Sequence, residues 1–592
     1  VLVTVSLKDE ASACYAEQVY GVTCVADDPS LATCYATAES AGEAGEVRIR
    51  LKPQSNGLFA VTRITLNARV PFTWQWPRMA LVFTGTLALL CALCLRSLRA
   101  AYDPARRTHR LIVILPLLAV MALMLPLARW IKPDTPLFMG VTDEQAAQSD
   151  DIYAVLYETL RSGSLSVAQT PDEALLTLDN PYDQSERVAS GVTFPFDYAY
   201  YGGQYYVYYG VAPVLTVYAP YHLLTGRVPT SRDATLLMGW LGVALVGWAV
   251  CGLARRYLPG VSVLALSLGC VTAAFASGAL LLTASADFYY LAELSFVTFC
   301  AGSVAFGLHA TRQPKRRLRR AQYALSGVCF ALAALSRPSA LLMPVAFLAP
   351  LFICEIVRKR ARGKEAAAFL APALLGVGAL LWYNAARFGS AFDFGVANQM
   401  TVTDLHWVRV RLTELPQALY HYLLEPLEWN YRFPYLSAGY HALPTAGRYV
   451  FTLANAGMTA FPVVWAAVLW PLAAARFPAE TPLLARERRR TLLLPLLVSL
   501  PLMLVSYGLA GAILRYTCDF RLFYALAGVL CAMALMTNAN TLERKALAAL
   551  CAVLCVISLF VGVGLVFSNE RDYVLNNSPQ VYYGLQRMFF PY

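Results

Sequence analysis

The chain has 592 residues, of which 58% are hydrophobic and only 14% charged, and its mean hydropathy is +0.50. These values exclude an ordinary soluble enzyme and a disordered chain, and place the sequence among polytopic membrane proteins. The 48 basic residues outnumber the 37 acidic ones, but cations gathered in cytoplasmic loops account for that excess without a nucleic-acid partner.

The sequence opens on Val1 inside what reads as a strand, so a truncated N-terminus is expected. Residues 1–76 alternate in the strand period at Val1, Val3, Val5 and Leu7, at Val47, Ile49 and Leu51, and at Val61, Ile64 and Leu66. A small extracytoplasmic β domain is predicted there. Of the fourteen cysteines, most fall in apolar runs, where a thiol packs as a small hydrophobe. Cys91 and Cys94 have no second pair or nearby His to make a zinc site. Cys14, Cys24 and Cys34 lie in the outward segment, where one disulfide with an odd cysteine left over is expected.

A hydrocarbon core of about 30 Å takes roughly 20 apolar residues per helix. On that measure twelve spans are predicted, at 78–96, 111–130, 234–253, 261–283, 288–310, 322–336, 338–356, 366–384, 449–474, 491–511, 521–538 and 546–567. The expected fold is therefore an all-α polytopic membrane protein of about twelve transmembrane helices carrying a small N-terminal β domain. The first two spans fill 77–130, an outer loop runs from 131 to 233, ten further spans fill 234–567 around an outer loop at 385–447, and 568–592 forms a tail. Basic clusters at Arg96–Arg110, Arg312–Arg320, Arg358–Lys364 and Arg486–Arg490 all fall on the cytoplasmic side if 322–356 crosses twice, at Arg337-Pro338, and 210–225 does not cross. The segment 210–225 is thus predicted to lie in the outer interface of a plasma membrane.

Within the outer loop, Ser149 or Asp150 is positioned to cap a helix with Ile152, Val155, Leu156 and Leu160 on one face and Gly163 at its end. A loop rich in Pro, Asp and Asn follows, then a tyrosine-rich stretch holding Tyr198, Tyr200, Tyr201, Tyr205, Tyr206, Tyr208 and Tyr209. Two readings of the tyrosines stay open: an aromatic belt at headgroup level, or rings and hydroxyls lining a sugar-binding cleft. No internal repeat stands out, which counts against a transporter built from inverted halves.

The layout of a membrane helix at 111–130, then SDDIYAVLYETLRSG from Ser149 to Gly163, then GGQYYVYYGVAPVLTVYAPYHLLTG from Gly202 to Gly226, resembles the GT-C class of polytopic glycosyltransferases. That class includes the protein O-mannosyltransferases and the lipid A aminoarabinose transferases. In the resemblance Asp150 and Asp151 take the acidic pair of the first outer loop, Tyr153 the aromatic, Pro213 the proline and Gly226 the end of the interfacial helix. The second acid here is Asp where the class has Glu, and Ala212-Pro213 stands for a tandem proline. ALAALSRPSALLMP (Ala331–Pro344), LWYNAARFGSAFDFG (Leu381–Gly395) and RYTCDF (Arg515–Phe520) are similar to looser elements of bacterial relatives. The resemblance implies a polyprenyl-phosphate sugar donor, since nucleotide sugars stay in the cytoplasm, and a glycan, lipid or protein acceptor of the cell envelope.

Inverting transfer needs a carboxylate to accept the acceptor's proton and cations or a metal to stabilise the leaving phosphate. Asp150 is the first candidate base and Asp151 the second, while Asp143 and Glu144 form an alternative acidic pair. Charge at membrane depth tends to mark a site, and the guanidinium fork suits phosphate, so Arg337 and Arg515 are the predicted phosphate cations. Asp287 and Glu293 lie at the outer start of 288–310, about 600° apart around the helix. Glu293, the deeper of the two, is read as a sugar-hydroxyl acceptor, a metal ligand or a partner for a neighbouring helix. His222 and His406 lie on outer segments. A divalent Mg or Mn held by Asp150, Asp151 or Glu293 would suit hard oxygen ligands. The rival functions are a transporter or flippase of a lipid-linked sugar and a non-catalytic envelope-assembly subunit.

Overall fold

The computed structural model describes residues 1–10, 12–23, 33, 35, 42–53, 59–68, 76–94, 96–133, 135–359, 363–430, 433–441, 443, 450–478, 481–537, 540–569 and 572–589. The chain divides into two compact units. One comprises Val1–Leu95, Trp429–Leu436 and Asp572–Tyr592, and the other Arg96–Glu428 and Ser437–Arg571.

In the first unit, β1 (Leu2–Asp9) pairs antiparallel with both β2 (Ser12–Thr23) and β3 (Ala44–Lys52). The period of two puts Val5 and Leu7 on one face, where they are buried with Val3 packed against them. Val47, Ile49 and Leu51 lie on β3 as expected. Val61, Ile64 and Leu66, predicted as a further strand, are instead exposed in irregular backbone, with no strand paired to them among the described residues. Cys14 forms no disulfide among the described residues, and Cys24 and Cys34 lie outside them. The helix α1 (Trp76–Cys94) exposes Leu81, Val82, Phe83 and Leu87; the side chains of Cys91 and Cys94 lie outside those described.

The second unit is a helical assembly. Among the described residues, seven of its helices are long and apolar enough to cross a membrane: α2 (Arg107–Ile131), α4 (Ser231–Tyr257), α6 (Phe288–Arg312), α9 (Gly363–Phe388), α10 (Pro482–Ala510), α11 (Cys518–Met536, with the turn from Leu514 leading into it) and α12 (Leu542–Phe567). Between them lie α3 (Ile152–Arg161), α5 (Val263–Ala276), α7 (Arg316–Ser336) and α8 (Leu342–Val357).

Of the twelve predicted spans, 78–96, 261–283 and 338–356 thus correspond to shorter apolar helices among the described residues. The span 261–283 breaks at Gly278, whose φ of +86° is left-handed and whose position would bring a Cβ within 2.5 Å of the Cys518 sulfur. The span 322–336 belongs to α7, whose first turns carry Arg316, Arg317, Arg319 and Arg320 and so lower its apolar character. It ends where Arg337 leaves helical geometry and Pro338 opens a 3₁₀ turn. The segment 449–474 is not a continuous helix. It is built from the 3₁₀ turns Met458–Ala460 and Pro462–Ala467 and the short helix Trp470–Ala474. Pro462 starts the second turn. The Val463 amide donates to Ser558 Oγ at 2.8 Å, and its carbonyl lies against Gly528, where a Cβ would meet it at 2.3 Å.

Helix α6 orients the unit. Its C-terminal end meets a charged knot in which Arg256 reaches Glu487 at 2.9 Å and Glu355 at 3.0 Å, and Tyr257 donates to Glu487. Arg312 donates to the Arg256 carbonyl at 3.1 Å, and Arg358 lies 3.9 Å from Glu355. The clusters around Arg312, Arg358 and Arg486–Arg490 therefore gather at one end, and the Tyr102 amide, from the Arg96–Arg110 segment, joins the Val261 carbonyl nearby. At about 1.5 Å per residue, the opposite end of this 25-residue helix lies about 37 Å away. That end holds Asp287 and Glu293.

Candidate active site

Four charged side chains, from the start of α6, the end of α7 and the turn that opens α11, converge. Glu293, 2% exposed, receives Arg337 Nη1 at 2.7 Å and has Arg515 Nε at 3.7 Å, while Arg337 Nη2 lies 2.9 Å from Asp519. Helix-end chemistry explains the positions: Arg337 caps the negative C-terminus of α7, and Asp519 sits in the positive first turn of α11. Arg515 occupies the 3₁₀ turn Leu514–Thr517 and lies over the rings of Tyr289, Tyr290 and Tyr516 at 4.8, 5.5 and 5.0 Å. Arg337 is the most solvent-accessible member, its side chain 21% exposed.

Formal charge balances, two guanidiniums against two carboxylates. Hydrogen bonding does not. Arg337 Nε, Glu293 Oε2 and Asp519 Oδ1 are buried with no hydrogen-bond partner among the described residues. Buried polar atoms are nearly always satisfied, so this cluster presents both a donor and acceptors to whatever enters it.

A layer of tyrosines borders the cluster. Asp197 accepts from the Tyr289 hydroxyl and from Gln399 Nε2 at 2.9 Å, and the same nitrogen reaches the Tyr208 hydroxyl at 2.5 Å. Tyr208 donates to Tyr209 at 3.0 Å, and the Tyr209 ring meets Phe288, Tyr289 and Tyr153 edge-on or tilted. Burial, and then the charge of Asp197, push the Tyr208 hydroxyl well above the ordinary phenol range. Tyr153 is fully buried, its hydroxyl has no partner among the described residues, and burial followed by the nearby Glu293 charge keeps it un-ionised.

The predicted acidic pair divides by environment. Asp151, rather than Ser149 or Asp150, caps α3: its carboxylate accepts from the amides of Tyr153 at 3.1 Å and Ala154 at 3.4 Å. It also takes the Ser231 amide and hydroxyl, each at 2.6 Å, which ties α3 to the first turn of α4. Burial raises its pKa despite the Ser231 bonds. With both oxygens occupied, Asp151 is a structural staple. Asp150 is exposed beside it. Helix α3 itself does not lie along a surface with one face buried: Ile152 through Tyr157 are all buried, because the short helix Asp143–Ala147 and the segment Val214–Tyr218 pack against it.

The other expected residues spread out. Asp143 pairs with Arg161 at 3.0 Å and with His222 Nε2 at 3.1 Å, and His222 Nδ1 meets the Tyr157 hydroxyl at 2.6 Å. Glu144 is exposed, and Asp287 caps α6 through the Phe288 amide at 2.7 Å. Tyr205 and Tyr206 lie on a hairpin of β4 (Ala199–Tyr201) and β5 (Gln204–Tyr206), with Tyr205 against Tyr200 and Tyr206 against Phe388. No described contact brings them to the charged cluster. The segment 210–225 folds as the π-helical Val214–Tyr218 running into the helix Ala219–Thr225, closed by Gly226 at φ +69°. Val217 and Tyr218 of the π-helical part are buried, while Leu223 and Leu224 of the following helix are 83% and 87% exposed. Among the described residues no group of three or more His, Cys, Asp or Glu side chains is placed to hold a metal.

Asp519, Asp197, Tyr289, Tyr516 and Gln399 were not predicted. Asp519 had a visible signal: it stands four residues after Arg515 in RYTCDF, a charge entering an apolar run.

Among solved structures, the chain is similar to the Archaeoglobus fulgidus oligosaccharyltransferase in the apo form, with 12% identity and a TM-score of 0.36. It is also similar to the archaeal oligosaccharyltransferase AglB from Archaeoglobus fulgidus in complex with an inhibitory peptide and a dolichol-phosphate, with 12% identity and a TM-score of 0.37. Each match covers 77% of this chain and 56% of the other, so the chain spans little more than half the length of these proteins. No protein-family model and no curated protein sequence matches it.

Proposed function

We propose that the protein is an inverting membrane glycosyltransferase that moves a sugar from a polyprenyl-phosphate donor to a cell-envelope acceptor at the outer face of the plasma membrane. The observation that carries this reading is the unsatisfied polar set around Arg337. A phosphosugar supplies both complements: phosphate oxygens for the free Arg337 Nε, and sugar hydroxyls for Glu293 Oε2, Asp519 Oδ1 and the Tyr153 hydroxyl.

Asp150 takes the proton of the acceptor hydroxyl as its oxygen attacks the anomeric carbon. The bond from that carbon to the phosphate oxygen breaks, and its electron pair leaves with the phosphate. The lipid phosphate thereby gains a negative charge, which Arg337 and Arg515 stabilise. Exposed Asp150 suits the base better than Asp151, whose oxygens are committed to four donors. The charges stand at helix ends rather than mid-helix, which supports transfer at the headgroup level over the midplane site of a flippase.

The test is sugar transfer by the purified protein in lipid, with a panel of polyprenyl-phosphate sugars and envelope acceptors, comparing wild type with Asp150→Asn and Arg337→Gln. Transfer by wild type and its loss in both variants is the expected result. Full activity in both would remove the assignment, and donor movement across the bilayer without transfer would favour the flippase.

A further inference from the structure

A second concavity lies apart from the charged cluster, with a volume of about 340 Å³ and walls formed by Asn180, Tyr182, Asp404, His406, Trp407 and Arg409. Its floor is preorganised. Asn180 Nδ2 donates to Asp404 at 2.9 Å, Asp404 also holds His406 at 2.9 Å, and the His406 ring lies 4.5 Å from that of Tyr182. Trp407 is left 79% exposed at the rim. An indole so exposed beside fixed amide and carboxylate groups is the combination that recognises a sugar, whose C–H face stacks on the ring while neighbouring hydroxyls reach polar groups. The volume falls at the small end of ligand pockets, about 300–1,000 Å³, which fits a short glycan and not a lipid tail. Charge points the same way: Asp404 and Arg409 offset one another, so the walls favour a neutral polyol over a phosphate.

Backbone pairing connects this concavity to the cluster. The Tyr182 hydroxyl donates to the Tyr200 carbonyl at 2.7 Å, the Tyr200 amide to Asn398 at 2.9 Å, and the Asp197 amide to Met400 at 3.0 Å. Gln399, between those partners, bonds Asp197, which in turn holds Tyr289 beneath Arg515. Resting on the glycosyltransferase reading, we infer that the Trp407 concavity is a subsite for a neutral glycan portion of the acceptor.

Binding tests this without requiring turnover. The full chain in lipid nanodiscs is titrated with a panel of short neutral oligosaccharides and followed by saturation-transfer NMR, comparing wild type, Trp407→Ala, Trp407→Phe and Asp404→Asn. Expected are binding of at least one oligosaccharide by wild type, a loss of about tenfold or more in Trp407→Ala, and a smaller loss in Trp407→Phe, which keeps a stacking face. Equal binding by Trp407→Ala overturns the subsite, as does wild type that binds no oligosaccharide yet transfers sugar. Quenching by brominated lipids whose Trp407 share, the difference between wild type and Trp407→Phe, places that ring in the acyl region would make Trp407 a bilayer anchor and also overturns it. Glycan binding at Trp407 without transfer from any donor keeps the subsite and counts against the transferase.

Discussion

Replacing Arg337 by Ala removes the cation shared by two buried carboxylates. Glu293 and Asp519 are 2% and 0% exposed, their contacts with Arg337 are 2.7 and 2.9 Å, and Arg515 stands 3.7 Å from Glu293. Breaking a buried pair by removing one partner costs about 3–5 kcal/mol, because the remaining charge stays desolvated. Asp519 loses this cation and Glu293 is left with the longer contact to Arg515, so Arg337→Ala is expected within that range. The expected readout is a clear fall in the midpoint of unfolding, followed by intrinsic fluorescence in mild detergent. Arg337→Ala combined with Asp519→Asn removes one stranded charge and should recover much of the stability. On the proposed function it should not recover sugar transfer, because the cation proposed to meet the phosphate is still missing. An Arg337→Ala protein as stable as wild type would refute the buried network. A double variant with wild-type transfer would refute the role of Arg337 toward phosphate.

Asp150→Asn should abolish transfer with an unchanged unfolding midpoint, whereas Asp151→Asn should lower the midpoint, since a lost N-cap costs about 0.5–2 kcal/mol and the tie to Ser231 is weakened with it; the opposite pattern would exchange their roles. Tyr153→Phe deletes a buried hydroxyl with no partner among the described residues, and such a group costs about 1–3 kcal/mol, so the variant should be at least as stable as wild type but weaker in donor KM. A loss of stability there would show that the hydroxyl is structurally bonded. Gly528→Ala places a Cβ 2.3 Å from the Val463 carbonyl and should destabilise by about 1–3 kcal/mol as overpacking does; a neutral result by thermal unfolding would contradict the close approach.

The sequence by itself determined the membrane class, the end of a helix at Gly226, and three of the four members of the charged cluster. These were legible because each signal is local: apolar length marks a span, a glycine after a helical run marks its end, and Glu293, Arg337 and Arg515 stand out as charges bordering apolar runs. Only the tertiary structure decided the rest. It divided Asp150 from Asp151, because the Asp151 carboxylate is held by Ser231, eighty residues away in the chain, while Asp150 is exposed. It broke 449–474 into turns, with the Val463 amide donating to Ser558 and its carbonyl packed closely on Gly528 of helices alongside. It also joined Arg337 to Asp519, and Trp407 to Asn180 in one concavity. The physical reason is common to all of these. Periodicity and capping act over a few residues and are written in each segment, whereas desolvation and ion pairing depend on which segments pack together, and no single segment specifies its neighbour.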